Sequence, residues 1–231
     1  MQAVWSAAVP QSHNGPIVKP LYSDAGSGFF FNLAGDIRLG DVVLPKGVIV
    51  QSVSKGAGVI SMSPGARIAG VRFLPAVGFA VLGQHYEQPT VLTRGEYSDY
   101  SLYELYDTLK DRNAAGHIEL LYQWAEKYLS ANTPIPDALH QALTLLDSEL
   151  ELGKITSSQL SQRQLERIFK QWLGITPKHY QRILRLKRAI NYLRSHSDRK
   201  LVDVAHQFGY TDQAHMTREF RTLACITPGK L

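Results

Sequence analysis

The segment Leu165–Pro177, LERIFKQWLGITP, returns 51 residues later as Met216–Pro228, MTREFRTLACITP. Each copy has an apolar residue, a Phe four places on, and Ile-Thr-Pro beginning six places after that Phe. A chain that repeats a short helical unit at a constant offset is built on a duplicated module. The duplication narrows the C-terminal third to paired helical units that share one way of burying an apolar stripe.

The ends of the units can be read from local chemistry. In the first, Ser161 is placed to cap a helix, and Gln164 three residues on completes a capping box. Leu165, Ile168, Phe169 and Trp172 form the expected buried stripe, with Gln162, Arg163, Glu166, Arg167 and Lys170 on the other side. Gly174 ends that helix. Thr176 caps the next one, which has Pro177 at its first position. Tyr180, Ile183, Leu184, Leu186, Ile190 and Leu193 give this long helix its apolar face, and Arg182, Arg185, Lys187, Arg188 and Arg194 a basic flank.

In the second unit, Leu201, Val202, Val204 and Ala205 are expected to form the apolar face of a short helix. Gly209 permits the bend, and Thr211 is the expected cap with Asp212 in the first turn. A helix over about 212–222 then turns Met216 and Phe220 inward. Gln213, Ala214, His215, Thr217, Arg218 and Arg221 face out or border the core. Short, polar and positive residues on such a helix can reach base edges and phosphates in a major groove. A rigid helix between two such readers would space them about one duplex turn, roughly 34 Å, apart.

Charge supports the division. Residues 1–153 hold 10 Lys/Arg against 15 Asp/Glu, and residues 154–231 hold 15 against 5, a balance of −5 and then +10. The basic part would be drawn to a polyanion, nucleic acid first and anionic membrane second. No stretch reaches 18 uncharged apolar residues, so no membrane partner is expected. MQAVWSAAVPQSHNG lacks the charged and apolar regions of a leader, and a cytoplasmic location is expected. Cys225 is the one cysteine, and no Cys/His cluster has zinc-site spacing, so neither metal nor other cofactor is expected.

The N-terminal region has another rhythm. Short apolar runs at 28–33, 37–39, 42–44, 47–50, 58–60 and 69–73 are punctuated by turn residues about every 8 to 10 positions. They predict a small antiparallel sheet or partial barrel, followed by a short helix within 76–84. Leu102, Leu105, Tyr106 and Leu109, then Leu120, Leu121, Trp124 and Tyr128, predict two amphipathic helices. Residues 131–136 form a break. Leu139, Ala142, Leu143, Leu145 and Leu146 belong to a third helix. The fold class is α+β in two domains. Residues 1–135 form a β-rich sensory or regulatory domain with a helical tail, and 136–231 an all-α domain with two helix-turn-helix units, the first truncated, joined by a long helix.

No catalytic constellation orders Ser61, Ser63, His85 and Asp99. Gly26-Ser27-Gly28 lacks the lysine of a phosphate loop. The protein is therefore expected not to be an enzyme. Phe29, Phe31, Phe73 and Tyr22 either line a pocket for a small apolar effector or simply fill the core.

SQRQLERIFKQWLGITPKHYQRILRLKRAINYLRS, followed by DVAHQFGYTDQAHMTREFR and the second Ile-Thr-Pro, resembles the AraC/XylS family of bacterial transcription regulators over about residues 154–231. The two Phe-x5-Ile-Thr-Pro endings and Arg188-Ala189 carry the resemblance. FFFNLAGDIRLG and GVRFLPAVGFAVLG resemble a partly cupin-like domain of unknown function found in one branch of that family. The resemblance implies a regulator that binds specific double-stranded DNA, often under control of an effector in the N-terminal domain. RNA polymerase and a second copy of the chain are further expected partners. By position in the motifs, base reading falls to Arg163, Glu166 and Arg167 in the first unit and to Gln213, His215, Thr217 and Arg218 in the second. Lys170 and Arg221 join them as DNA contacts.

Each has a plainer reading. Glu166 can pair with Lys170, Arg167 and Arg218 can touch phosphate alone, His215 can pack beside Met216, and Thr217 can be surface filler. Three departures from the family pattern stand out. Too few residues separate Leu150 from Ser161 for the usual supporting helix, leaving 137–150 to take that role or the first reader poorly held. Cys225 replaces the glycine expected from Gly174. Almost nothing of a closing helix follows Pro228. An alternative function is a protein-interaction regulator that keeps the helix-turn-helix fold without specific DNA reading. A third, alkyl transfer to Cys225, needs an activated thiol that this turn does not offer.

Overall fold

The computed structural model describes residues 1–129, 135–148, 160–196 and 198–231. The chain forms two compact units. One comprises Met1–Lys19, Gly26–Val53 and Val59–Ile135; the other comprises Pro20–Ala25, Ser54–Gly58 and Pro136–Leu231.

The first unit is built on two sheets. Strands β1 (Ala3–Ala8), β3 (Gly28–Ala34), β6 (Gly47–Gln51), β8 (Arg67–Arg72) and β9 (Thr90–Val91) form a five-stranded sheet in the order β1-β8-β3-β6-β9. Its paired neighbours are antiparallel. Strands β2 (Ile17–Leu21), β4 (Ile37–Leu39), β5 (Val42–Leu44) and β7 (Gly58–Met62) form a second sheet in the order β2-β7-β4-β5. Helix α1 (Val77–Leu82) follows β8. Helices α2 (Leu102–Lys110) and α3 (Ala114–Tyr128) pack on the larger sheet.

The run Phe29-Phe30-Phe31 shows why β3 is apolar throughout. Alternate side chains of a strand point to opposite faces. Phe29, Phe31 and Leu33 enter the core under α2 and α3, while Phe30 enters the core between the sheets with Ile37, Leu44, Ile49 and Ile68. Both faces are covered, so no polar alternation survives. The glycine before this run serves the same packing. A Cβ on Gly28 would lie 2.1 Å from the Val71 carbonyl oxygen on β8. Gly26-Ser27-Gly28 is thus the start of a closely packed strand.

Phe29, Phe31 and Phe73 are fully buried in the core under the helices. Tyr22 packs instead on the apolar cluster of the second unit. Of the two readings open for these four residues, the core reading holds for Phe29, Phe31 and Phe73, and Tyr22 belongs with the Pro20–Ala25 segment to the other unit. Ser61 and Ser63 sit on and just after β7, Asp99 lies in a 3-10 turn, and His85 stacks on Phe79 with ring centroids 4.8 Å apart.

His117 is the buried polar residue of the helical layer. Its Nε2–H donates to the Leu109 carbonyl at 2.9 Å, so its Nδ1 accepts from the Ser6 hydroxyl at 2.7 Å. Burial holds its pKa below the ordinary value of 6.5.

The second unit is helical: α4 (Asp137–Asp147), α5 (Gln162–Leu173), α6 (Pro177–Ser195), α7 (Leu201–Gln207) and α8 (Gln213–Ala224). Of the expected break at 131–136, residues 131–134 lie outside the described residues, as do 149–159, where the shortened support was expected. Among the described residues, no helix is long and apolar enough to cross a membrane.

Candidate nucleic-acid interface

Helix α5 begins with the capping box read from the sequence. Ser161 Oγ accepts from the Gln164 N–H, and the Gln164 side chain accepts from the Ser161 N–H. Leu165, Phe169 and Leu173 are fully buried, while Ile168 and Trp172 are half-buried at the edge of the stripe. Gly174 closes the helix in the left-handed region, φ 70°. Thr176 then accepts from the His179 N–H and Pro177 starts α6. The Phe169 and Tyr180 rings meet at 5.8 Å across this junction, and burial pushes the Tyr180 hydroxyl up to about 12. The exposed face of α5 carries Gln162, Arg163, Glu166, Arg167 and Lys170. Glu166 accepts from Gln162 at 3.2 Å.

Helix α8 repeats the pattern with two corrections. Its cap is Asp212, whose Oδ1 accepts from the His215 N–H at 2.6 Å; Thr211 stands one residue before it. A carboxylate beside the first-turn amides is favoured by their partial positive charge. In α7, Val204 and Ala205 are buried, but Val202 is 48% exposed, so the inward face is narrower than expected. Gly209 adopts φ 70° in the turn, with the Tyr210 N–H donating to Ala205 at 2.9 Å. Met216, Phe220, Leu223 and Ala224 seal α8 against Leu186, Ala189, Ile190 and Leu193 of α6.

The 51-residue offset now aligns the two helices residue by residue. Cap Ser161 matches cap Asp212, Leu165 matches Met216, Phe169 matches Phe220, and Gly174 matches Cys225. Cys225 takes the left-handed conformation of its counterpart, φ 52°. Arg167 matches Arg218 and Lys170 matches Arg221, and all four are exposed.

One position breaks the symmetry. The counterpart of Ile168 is Glu219, which is buried. Its carboxylate accepts from Arg182 Nε at 3.0 Å and from Arg185 Nη2 at 3.0 Å. Arg185 also donates to the Gly209 carbonyl at 3.1 Å and lies over the Tyr210 ring at 4.4 Å. Burial, chiefly, raises the Tyr210 hydroxyl pKa. This charged clamp fixes both α8 and the turn before it to α6. The sequence reading overlooked Glu219; its place on an inward position of the repeat, in a segment of net positive charge, was the available signal.

The clamp also locates His215. Its Nε2 lies 3.8 Å from Glu219, its ring meets Tyr210 edge-on at 5.5 Å, and its Nδ1 is 3.4 Å from Thr211 Oγ1. Thr217 Oγ1 donates back to the Gln213 carbonyl at 2.9 Å. Gln213, Arg218 and Arg221 are exposed on the same helix.

α7, the turn at Gly209 and α8 make a helix-turn-helix arrangement, and the capped helix α5 repeats α8 with its own exposed polar and basic face. Residues 156–231 match the family described as "Helix-turn-helix domain". The stretch is similar to the HTH-type transcriptional activator RhaS of Escherichia coli O139:H28, strain E24377A, 32% identical over 109 residues. The same identity and span relate it to RhaS of strain SE11. The aligned stretch is 47% of this chain and 33% of either relative, so the chain spans about a third of the relatives it matches. Among solved structures, two of ToxT from Vibrio cholerae align over 99% and 98% of the chain and 96% and 94% of theirs. Their identities are 13% and 14%, with TM-scores of 0.47 and 0.48. Residues 156–231 thus match a helix-turn-helix domain, and the same stretch is similar to part of these activators.

Proposed function

We propose that this protein is a transcription regulator that reads specific double-stranded DNA with α5 and α8. The carrying observation is the residue-by-residue match of two capped helices, each with Arg or Lys exposed at the same two positions. Arg163, Glu166, Arg167 and Lys170 would face the duplex from α5. Gln213, Arg218 and Arg221 would do so from α8, with His215 and Thr217 at the border. Of these, Arg167 and Arg218 are best placed for guanine edges, and Lys170 and Arg221 for phosphates.

The division of labour follows the same reading. Residues 136–231 bind DNA; residues 1–135 form a sensory or regulatory domain without catalytic function, controlled by a small effector. Contact with RNA polymerase and pairing with a second copy complete the regulator. Selection of duplexes from a random-sequence pool, with and without cell metabolites, tests this. One enriched motif whose recovery changes with a metabolite is expected. Failure to enrich any motif under either condition would reject DNA reading in favour of a protein-interaction role.

A further inference from the structure

The second unit includes two short pieces of the strand-rich half of the chain, Pro20–Ala25 before β3 and Ser54–Gly58 after β6. Both meet the end of α8. A helix leaves its last carbonyls without partners of its own. Here the Cys225 N–H donates to the Arg221 carbonyl at 3.2 Å. The carbonyls of Thr222 and Leu223 accept from the Ala57 N–H at 3.0 Å and the Ser23 N–H at 3.1 Å. Two segments distant in sequence from α8 thus complete its C-terminal end.

The segments are fastened to each other and to α6. Buried Ser23 donates its hydroxyl to the Ser54 carbonyl at 2.5 Å. Tyr22 packs on the apolar cluster that α8 shares with α6. Arg194 of α6 donates to the Tyr22 hydroxyl at 3.3 Å, with its guanidinium 5.7 Å from the ring centroid. The fit is close at Gly56, where a Cβ would lie 3.2 Å from the Thr222 carbonyl oxygen. Gly28 at the start of β3 and Gln51 at the end of β6 are register partners, so both segments are anchored at one place in the larger sheet.

We propose that the two segments form a strap that positions the second reader. Ser23 and Ala57 supply its backbone donors, and Tyr22 and Gly56 its fitted contacts. The strap makes part of the strand-rich half a support for α8. Its effect on duplex binding rests on the DNA-reading function above; its hold on α8 does not.

Hydrogen exchange of the full chain, followed by mass spectrometry without DNA, reads the last turn of α8. Gly56→Val sets a branched side chain against the Thr222 carbonyl, and Gly95→Val makes the same change where no atom lies within 4 Å. Two backbone hydrogen bonds are worth about tenfold in local opening. Exchange over Arg221–Cys225 should therefore rise about tenfold in Gly56→Val and stay unchanged in Gly95→Val, with α5 unchanged in both. Tyr22→Ala removes a half-buried ring of the strap and should raise the same exchange, which decides the matter if Gly56→Val does not fold. On a selected duplex, the strap variants should also lose discrimination against single-base changes. Unchanged exchange at the end of α8, a rise shared evenly with α5, or an equal rise in Gly95→Val would overturn the strap. A rise confined to α8 with discrimination intact would overturn its positioning role. If no duplex is selected, the DNA-reading function fails, and the exchange result still decides the strap.

Discussion

Cys225 shows most directly what a single residue costs here. At φ 52° its Cβ crowds the backbone, a conformation that only glycine adopts freely. The left-handed cap is retained because the helix must end there for Ile226 and Pro228 to pack. Cys225→Gly should therefore stabilise the second unit by about 0.5–1 kcal/mol, the relief of strain less the added entropy of the unfolded chain. Chemical denaturation would measure it; a loss of stability would show that the thiol makes a contact worth more than the strain. His117 makes a different residue-scale prediction. Its folded pKa lies below 6.5, so the unfolded chain binds the extra proton first. The stability it contributes is present above pH 6.5 and is lost as pH falls below that value. Melting curves of wild type and His117→Gln should converge as the solution is acidified, and parallel curves would contradict the assignment.

Among elements, the informative comparison is between α5 and α8. Both are capped and both bury a Phe at the same position, but among the described residues only α8 has a carboxylate clamped by two arginines of α6. A reader held rigidly converts its contacts into discrimination more fully than one that can shift. Arg218→Ala should therefore cost more specificity than Arg167→Ala, within the roughly 1–3 kcal/mol that a bidentate base contact provides. Competition binding against single-base variants of the selected site would rank them, and equal losses would contradict the ordering. The repeat made most of this legible. Ser161, Gly174, Thr176 and Pro177 behave as their local chemistry dictates. Had the offset been applied to the caps, Ser161 would have pointed to Asp212 rather than Thr211. Strands β1, β2 and β9 left no such signal. β1 and β2 lie within or just after a segment read for targeting features, and β9 is only two residues long. Their pairing with β8, β7 and β6 is a long-range choice that no local pattern records.

Taken whole, the molecule divides its charge, −5 before residue 154 and +10 after it. Arg163, Arg167 and Lys170 on α5 and Arg218 and Arg221 on α8 are five exposed cations, which under the proposed function would meet phosphates. Each contact made displaces counterions and contributes about −0.9 to the slope of log affinity against log salt. With all five engaged, the slope would reach about −4.5. Titrations between low and physiological salt would give it, and a slope near zero would mean that the basic unit does not engage a duplex backbone. The sequence by itself determined the duplicated helices, their caps, the strand-rich start and the charge division. Each of these depends on neighbours within a few residues or on bulk composition. Only the tertiary structure decided that Glu219 is buried between Arg182 and Arg185, that His215 turns toward that cluster, and that Phe29 and Phe31 fill a core away from Tyr22. Those outcomes depend on which residues distant in sequence share a low-dielectric interior, where an unpaired charge is costly and a paired one can hold a helix in place.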